Sequence, residues 1–330
     1  MESQKALPEE LFADLVLLNG KVVTVDAFNS IMEAVACKGE KIVKVGKTEE
    51  VKSLIGRHTK VIDLKGRTVT PGFVDTHFHF AGGATRARAV DLRYVRSMDD
   101  LIGKLRERAE RLPKGRWITG FGYNESKLRE KRFPNRYDLD KASTEHPISI
   151  TRQGGHDGIR VNSLALKLAK ITKDTPDPSP PSYIERDRVT REPLGNLREA
   201  AEMPVQGLIA KEPPLTREEM KEGLRRTIRQ MLEWGITSIQ EPGAPMDMLP
   251  LYQEMLRDGD FPIRNSFLIS APTVGRAYQR NERYKMAVDT SVTVGLQNGF
   301  GNDHLKFVGV KLGHDGSMSA GNCAVYEPYL

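Results

Sequence analysis

The pattern of apolar and polar positions divides the chain into two regimes. Between residues 13 and 70, short β-branched runs at 15–18, 21–25, 33–36, 41–46, 61–64 and 68–70 alternate with turn residues. Asn19-Gly20 between two such runs predicts a hairpin, and Lys38-Gly39-Glu40 predicts another turn. This first region reads as a small β-sheet base bearing no candidate chemistry.

Beyond residue 80 the apolar spacing shifts to the helical period. Ser97 with Asp100 predicts a capped helix whose buried stripe is Met98, Leu101, Ile102 and Leu105. Strands are predicted over 117–120 and 147–150, and Asn162 caps a short helix through Leu166 and Ala169. Residues 174–193 contain Pro176, Pro178, Pro180, Pro181 and Pro193, which predicts a long exposed loop. Thr216 with Glu219 predicts a second capped helix, stopped at Gly235. A strand over 236–239, a helix through Leu251, Tyr252, Met255 and Leu256, a strand over 263–269, a helical stretch over 278–287 and a strand over 305–312 follow. Repeated strand-then-helix units predict a parallel sheet, either barrel or doubly wound. Gly120-Phe121-Gly122 lacks the third glycine of a dinucleotide fingerprint, which removes that function class.

Residues 71–80 lie between the regimes. They read as a buried strand that opens on Pro71-Gly72 and ends in Asp75, His77 and His79. Side chains alternate across a strand, so His77 and His79 project together from its carboxyl end, with Phe78 turned into the packing behind. A strand buried on both faces should be continuously apolar. Polar residues at its end therefore need a reason, and in a β/α barrel that end is where chemistry is done. Two imidazoles suit a borderline metal such as zinc, with ligand distances of about 2.0–2.1 Å. A bare His-x-His is a weak signal; its context carries it.

A second buried strand, over 305–312, also turns polar at its end, with Lys311, then His314 and Asp315. A lysine ammonium there must be paired or have its pKa depressed. Deprotonated, Lys311 could take up carbon dioxide as a carbamate, an anionic oxygen ligand able to bridge two metal ions. Alternatively it pairs with Asp315 or Asp75. The residues leave both readings open.

Composition narrows the function class. The 330 residues are 38% hydrophobic and 28% charged, and the net charge of +6 is 50 basic minus 44 acidic residues. That small excess, and the clusters Arg129-Glu130-Lys131-Arg132 and Arg225-Arg226, fit solvated surface better than a nucleic-acid interface. Cys37 and Cys323 lie far apart and read as free thiols in a reducing compartment. No run approaches the ~20 apolar residues of a membrane span, so no membrane role and a cytoplasmic location are expected.

The chain resembles the amidohydrolase superfamily, within it the amidohydrolase-3 group of YtcJ-like and N-substituted formamide deformylase-like proteins. The resemblance is carried by residues 71–80 and 114–125, Gly155-His156-Asp157 with Val161-Asn162-Ser163, residues 195–199 and 235–238, and Val310-Lys311-Leu312 with Asp315-Gly316-Ser317. It implies an α/β fold: about the first four strands of a metal-dependent-hydrolase (β/α)8 barrel, with an N-terminal β-sandwich portion and an α/β insertion. The implied divisions are a sandwich portion over 1–70, the first barrel strand over 71–90, an insertion near the active site over 91–200, and barrel strands two to four over 201–330.

By motif position, the resemblance makes His77, His79 and Lys311 metal ligands. It places His156, Tyr123, Asn124, Glu125 and Asp315 beside the substrate. The cofactor is a divalent metal, zinc, as one or two ions in the complete enzyme. The function implied is hydrolysis of carbon–nitrogen bonds other than peptide bonds, on a small amide-like substrate. Further histidine ligands and a catalytic aspartate belong to later strands of the family, so the chain reads as an N-terminal portion, inactive alone, and no catalytic residue is assigned. A non-catalytic half-barrel that binds or assembles is the alternative, and a homo-oligomer is compatible with either. His314 departs from the family pattern and reads as a loop residue rather than an extra ligand.

Overall fold

The computed structural model describes residues 12–154, 158–180, 182–270 and 295–311. Two compact units divide the chain: residues 1–74 with 235–238, and residues 75–234 with 239–330.

The first unit contains β1 (Leu15–Leu18), β2 (Lys21–Val23), β3 (Ile31–Met32), β4 (Ala34–Lys38), β5 (Lys41–Gly46), a five-residue helix α1 (Thr48–Lys52), β6 (Lys60–Asp63) and β7 (Thr68–Val69). These form two sheets, in the orders β5-β4-β1-β6 and β3-β2-β7. The Asn19-Gly20 turn is therefore not a hairpin. It passes the chain from the first sheet to the second, since β1 pairs with β4 and β6 while β2 pairs with β3 and β7. Gly20 is required there by space: a Cβ would lie 2.2 Å from Leu64 Cδ1. The turn at Lys38-Gly39 does join an antiparallel pair, β4 with β5. Val16, Leu18, Ala34, Ala36 and Val51 fill the core under the four-stranded sheet.

The chain then enters β8 (Phe73–Asp75), α2 (Ala81–Thr85), β9 (Val90–Asp91), α3 (Met98–Glu110), β10 (Ile118–Tyr123), α4 (Arg136–Asp140), β11 (Ile148–Arg152), β12 (Ile159–Val161), α5 (Ser163–Leu168), β13 (Tyr183–Arg186), β14 (Pro193–Arg198) and α6 (Met203–Ile209). It ends, within the described residues, with α7 (Arg217–Glu233), β15 (Ile236–Ala244), α8 (Leu249–Arg257), β16 (Arg264–Ser270) and β17 (Leu305–Lys311). The predicted helix over 278–287 lies outside the described residues.

Strand and helix alternation does not produce one parallel sheet. A six-stranded sheet has the order β13-β14-β12-β11-β10-β9 and mixes parallel pairs (β9, β10, β11) with antiparallel ones (β11, β12, β14, β13). The predicted proline-rich loop hides β13, whose tyrosine and isoleucine pair with β14, and Pro193 itself opens β14 opposite Arg186. A separate four-stranded sheet has the order β17-β16-β15-β8.

The caps behave as short-range chemistry dictates. Ser97 Oγ accepts the Asp100 amide at 3.1 Å, and Met98, Leu101, Ile102 and Leu105 are buried beneath α3. Each such side chain stabilises the packed helix by roughly 1.5–3 kcal/mol. Asn162 caps α5 through the Ala165 amide. Thr216 and Glu219 close a reciprocal capping box on α7, and Gly235, at φ +76°, ends it in the left-handed region. Helices α2 and α7 approach closely at two glycines: a Cβ on Gly223 would lie 2.3 Å from the Gly83 carbonyl oxygen.

Candidate metal-binding segment

Strand β8 ends at Asp75, not at His79 as the alternation predicted. Asp75 Oδ1 accepts the His77 amide at 3.0 Å, a local turn that competes with further pairing. The segment still follows its neighbour, because Phe73 donates to the Gly235 carbonyl and Phe78 to that of Gln240, a constant offset that sets β8 and β15 parallel. Nor is the strand buried on both faces. Phe73 and Val74 are 63% and 61% exposed, since β8 is an outer strand of its sheet. Phe78 is half-buried, and the deeply packed aromatic is Phe80, fully buried against Tyr252 and Phe261.

His77 and His79 are exposed and side by side, their ring centres 5.3 Å apart and their planes at 84°. The spacing can be tested against a shared ion. Metal–nitrogen bonds of about 2.0–2.1 Å, roughly 1.2 Å more to the ring centre, and a tetrahedral angle place two ligand rings roughly 5.2 Å apart. The centre-to-centre spacing matches that of two ligands in one coordination sphere. Among the described residues no group of three or more His, Cys, Asp or Glu side chains is gathered as a metal cage.

Lys311 closes β17, the opposite outer strand. It is half-buried rather than enclosed, because only β16 pairs with its strand in the sheet. Gly243 on β15 lies beside its stem and adopts the left-handed region, at φ +89°. No ion pair joins Lys311 to Asp75 among the described residues, and Asp315 and His314 lie outside them. So does His156.

The remaining candidates sit at the end of β10. Tyr123 is fully buried in the core with Leu92, Leu128 and Ile150, its hydroxyl has no hydrogen-bond partner among the described residues, and burial pushes its pKa up to about 12. Asn124 caps a 3-10 turn by accepting the Ser126 amide, and Glu125 pairs with Arg152 at 2.7 Å. Glu125 Oε2 is also buried without a partner among the described residues. Two further histidines meet the backbone: His146 Nδ1 lies 3.0 Å from the Arg116 carbonyl, and His304 Nδ1 lies 2.9 Å from that of Ile263.

Sequence reasoning missed Glu241. It lies on β15, 1% exposed. Its carboxylate accepts the Ala81 amide at 2.7 Å, the Tyr252 hydroxyl at 3.2 Å and Asn265 Nδ2 at 3.0 Å. Burial raises its pKa, opposed by those hydrogen bonds and by the Phe80 amide. Glu241 thus fixes the backbone two residues beyond His79. The signal was available: an acid late in an apolar strand is as anomalous as Lys311.

A profile of the amidohydrolase family, amidohydrolase-3 group, matches residues 60–330. The chain is 36% identical over 190 residues to N-substituted formamide deformylase of Arthrobacter pascens, covering 57% of this chain and 34% of that protein. It is 28% identical over 304 residues to YtcJ of Bacillus subtilis (strain 168), covering 90% of this chain and 53% of that one. The chain thus spans about half, or less, of the curated relatives named. Its fold is similar to that of an uncharacterized metal-dependent hydrolase from Pyrococcus furiosus: TM-score 0.61, 24% identity, 93% of this chain and 57% of that one. With the profile matched over most of its length, the chain belongs to the amidohydrolase family.

Proposed function

We propose that this chain forms part of a metal-dependent hydrolase acting on carbon–nitrogen bonds other than peptide bonds, with a small amide-like substrate. The observation that carries the reading is the His77–His79 pair, set at the spacing of two ligands on one ion. In this reading the four-stranded sheet is the first four strands of a (β/α)8 barrel, and the smaller first unit is the sandwich portion. A divalent cation such as zinc, held at the pair, would supply Lewis acidity and activate water near neutral pH.

The protein's own groups have separable parts in this proposal. His77 and His79 supply neutral nitrogen donors, and Glu241 holds the turn that aims them. Lys311 would complete the ligand set as a carbamate. The two outer strands lie three strand spacings apart, roughly 14 Å along a flat sheet, so joining their ends requires the sheet to curl. His156 and Asp315 are proposed to face the substrate, and the buried atoms of Tyr123 and Glu125 that lack partners among the described residues to support that side. The similarity to N-substituted formamide deformylase makes formamides the first substrates to try.

The test is hydrolysis of N-substituted formamides by the zinc-loaded protein carrying this chain, alongside His77→Ala, His79→Ala and Lys311→Ala. Loss of turnover in all three, with short carboxylic acids partly restoring Lys311→Ala, is the expected result. Undiminished turnover in the two histidine variants would sink the assignment. The described residues gather only two imidazoles, which favours one second reading, a non-catalytic binding module. Substrate binding that persists in all three variants, with no turnover in any of them or in the parent, would favour it.

A further inference from the structure

A cleft of about 200 Å³ opens between α2, α7 and the β9–β10 edge, with His79 on its wall. Its charges do not balance. Arg86, Arg93 and Arg226 line it, against one carboxylate, Asp91. Asp91 is committed to Arg93 through two hydrogen bonds, at 2.9 and 2.6 Å. Arg226 donates to the Ala87 carbonyl at 2.7 Å. The Arg86 side chain makes no hydrogen bond or ion pair among the described residues. Its guanidinium lies 5.2 Å from the centre of the Phe121 ring, and that of Arg93 lies 5.4 Å from the same ring.

We infer that this cleft binds a small aromatic carboxylate, with Arg86 as the carboxylate's partner and Phe121 and Trp234 flanking the ring. Three observations support the choice of ligand. The walls carry two positive charges in excess of negative ones, so an anion completes them. An arginine fork that makes no hydrogen bond among the described residues matches a carboxylate in two parallel hydrogen bonds. The space suits a single ring, given that a cavity of about 150 Å³ accepts benzene. Arg86 is exposed; partial desolvation, then the neighbouring Arg93, makes its charge costly, which an anion would relieve. The inference needs neither metal nor turnover, so it stands apart from the hydrolase reading.

Isothermal titration with benzoate, against neutral benzamide at constant ionic strength, tests it on the metal-free protein. Saturable benzoate binding at least tenfold tighter than benzamide is expected. Arg86→Gln should weaken benzoate about tenfold or more, the usual scale of a hydrogen bond to a charged group. Arg57→Gln, on the exposed surface of the first unit, should leave it unchanged. Arg86→Lys serves as the second variant, because it keeps the charge without the planar fork; a severalfold loss is expected. Equal affinity for benzamide, no saturable benzoate binding by the parent protein, or parent-like binding in both Arg86 variants overturns the proposal.

Discussion

Glu241 Oε1 accepts the backbone amide of Ala81 at 2.7 Å, across 160 residues of sequence. This one contact ties the loop that follows the paired imidazoles to the middle of a neighbouring strand. The Tyr252 hydroxyl and the Asn265 side-chain amide donate to the same carboxylate, so its removal takes a partner from several buried polar groups at once. Glu241→Ala is expected to cost about 2–4 kcal/mol, read from denaturant midpoints. A loss below about 1 kcal/mol would mean the loop is held by other contacts.

The isosteric change behaves differently with pH. Burial raises the folded pKa of Glu241 above its ordinary value. Its contribution is therefore fully present below the unfolded carboxyl pKa, and is lost as pH rises through the elevated folded one. Glu241→Gln does not titrate, and Asn265 Oδ1, buried without a partner among the described residues, can accept from the new amide after Asn265 turns over. The stability difference should move in favour of Glu241→Gln as pH rises from acid to neutral. A pH-independent difference would contradict this.

Arg88 gives the opposite sign. Its guanidinium binds both oxygens of Glu219, at 2.7 and 2.6 Å, while Glu219 also accepts the Thr216 amide at 2.8 Å. Arg88 first, then the Thr216 amide, lowers the Glu219 pKa from 4.5 to about 2. A depressed folded pKa stabilises above the unfolded value and loses that stability as pH falls through the folded one. Arg88→Ala should therefore lower the urea midpoint at neutral pH, with the gap to the parent narrowing between pH 4.5 and about 2. A gap that stays constant would remove the ion pair from the account.

Gly223 lies within α7, where alanine would ordinarily be preferred by about 1 kcal/mol. The 2.3 Å approach of a Cβ to the Gly83 carbonyl reverses the preference. Gly223→Ala is expected to destabilise by about 1–3 kcal/mol, the range for overpacking a close contact. It should also weaken benzoate binding, since both glycines line the cleft. Thermal unfolding and the same titration read the two effects; a stabilised variant would show that α2 can move away freely.

Metal uptake separates the histidine pair from chance. After dialysis against chelator and reloading with zinc, less than one ion per chain is expected, because closed zinc sites use four ligands. His77→Ala and His79→Ala should each abolish it. A tightly held ion at one per chain that survives both changes would place the site elsewhere.

The legible parts of the fold were those set by neighbours in sequence. Ser97, Asn162 and Thr216 each satisfy an amide three residues on, and the stripe of α3 follows from its period alone. The closeness of the two imidazoles was also legible from their two-residue spacing, although β8 ends before them. Pairing partners were not. Asn19-Gly20 announces a turn but cannot say that the strands it joins belong to different sheets. The Tyr183–Arg186 strand depends on a distant partner, β14, and its prolines masked it. Glu241 was missed for a similar reason: its donors come from α2, α8 and β16, which only the folded chain brings together.

The order β17-β16-β15-β8 leaves two outer strands that differ in sequence, among the described residues. Their inequivalence dictates what assemblies edge pairing could build. Joining β17 of one copy to β8 of the next is head-to-tail, and each addition leaves the same two ends free, so growth continues unless the rotation closes a ring. Joining β8 to β8 uses one surface twice about a two-fold axis and stops at a dimer. A mass distribution in solution that ends at two copies, or one that rises steadily with concentration, would therefore report which edge meets which.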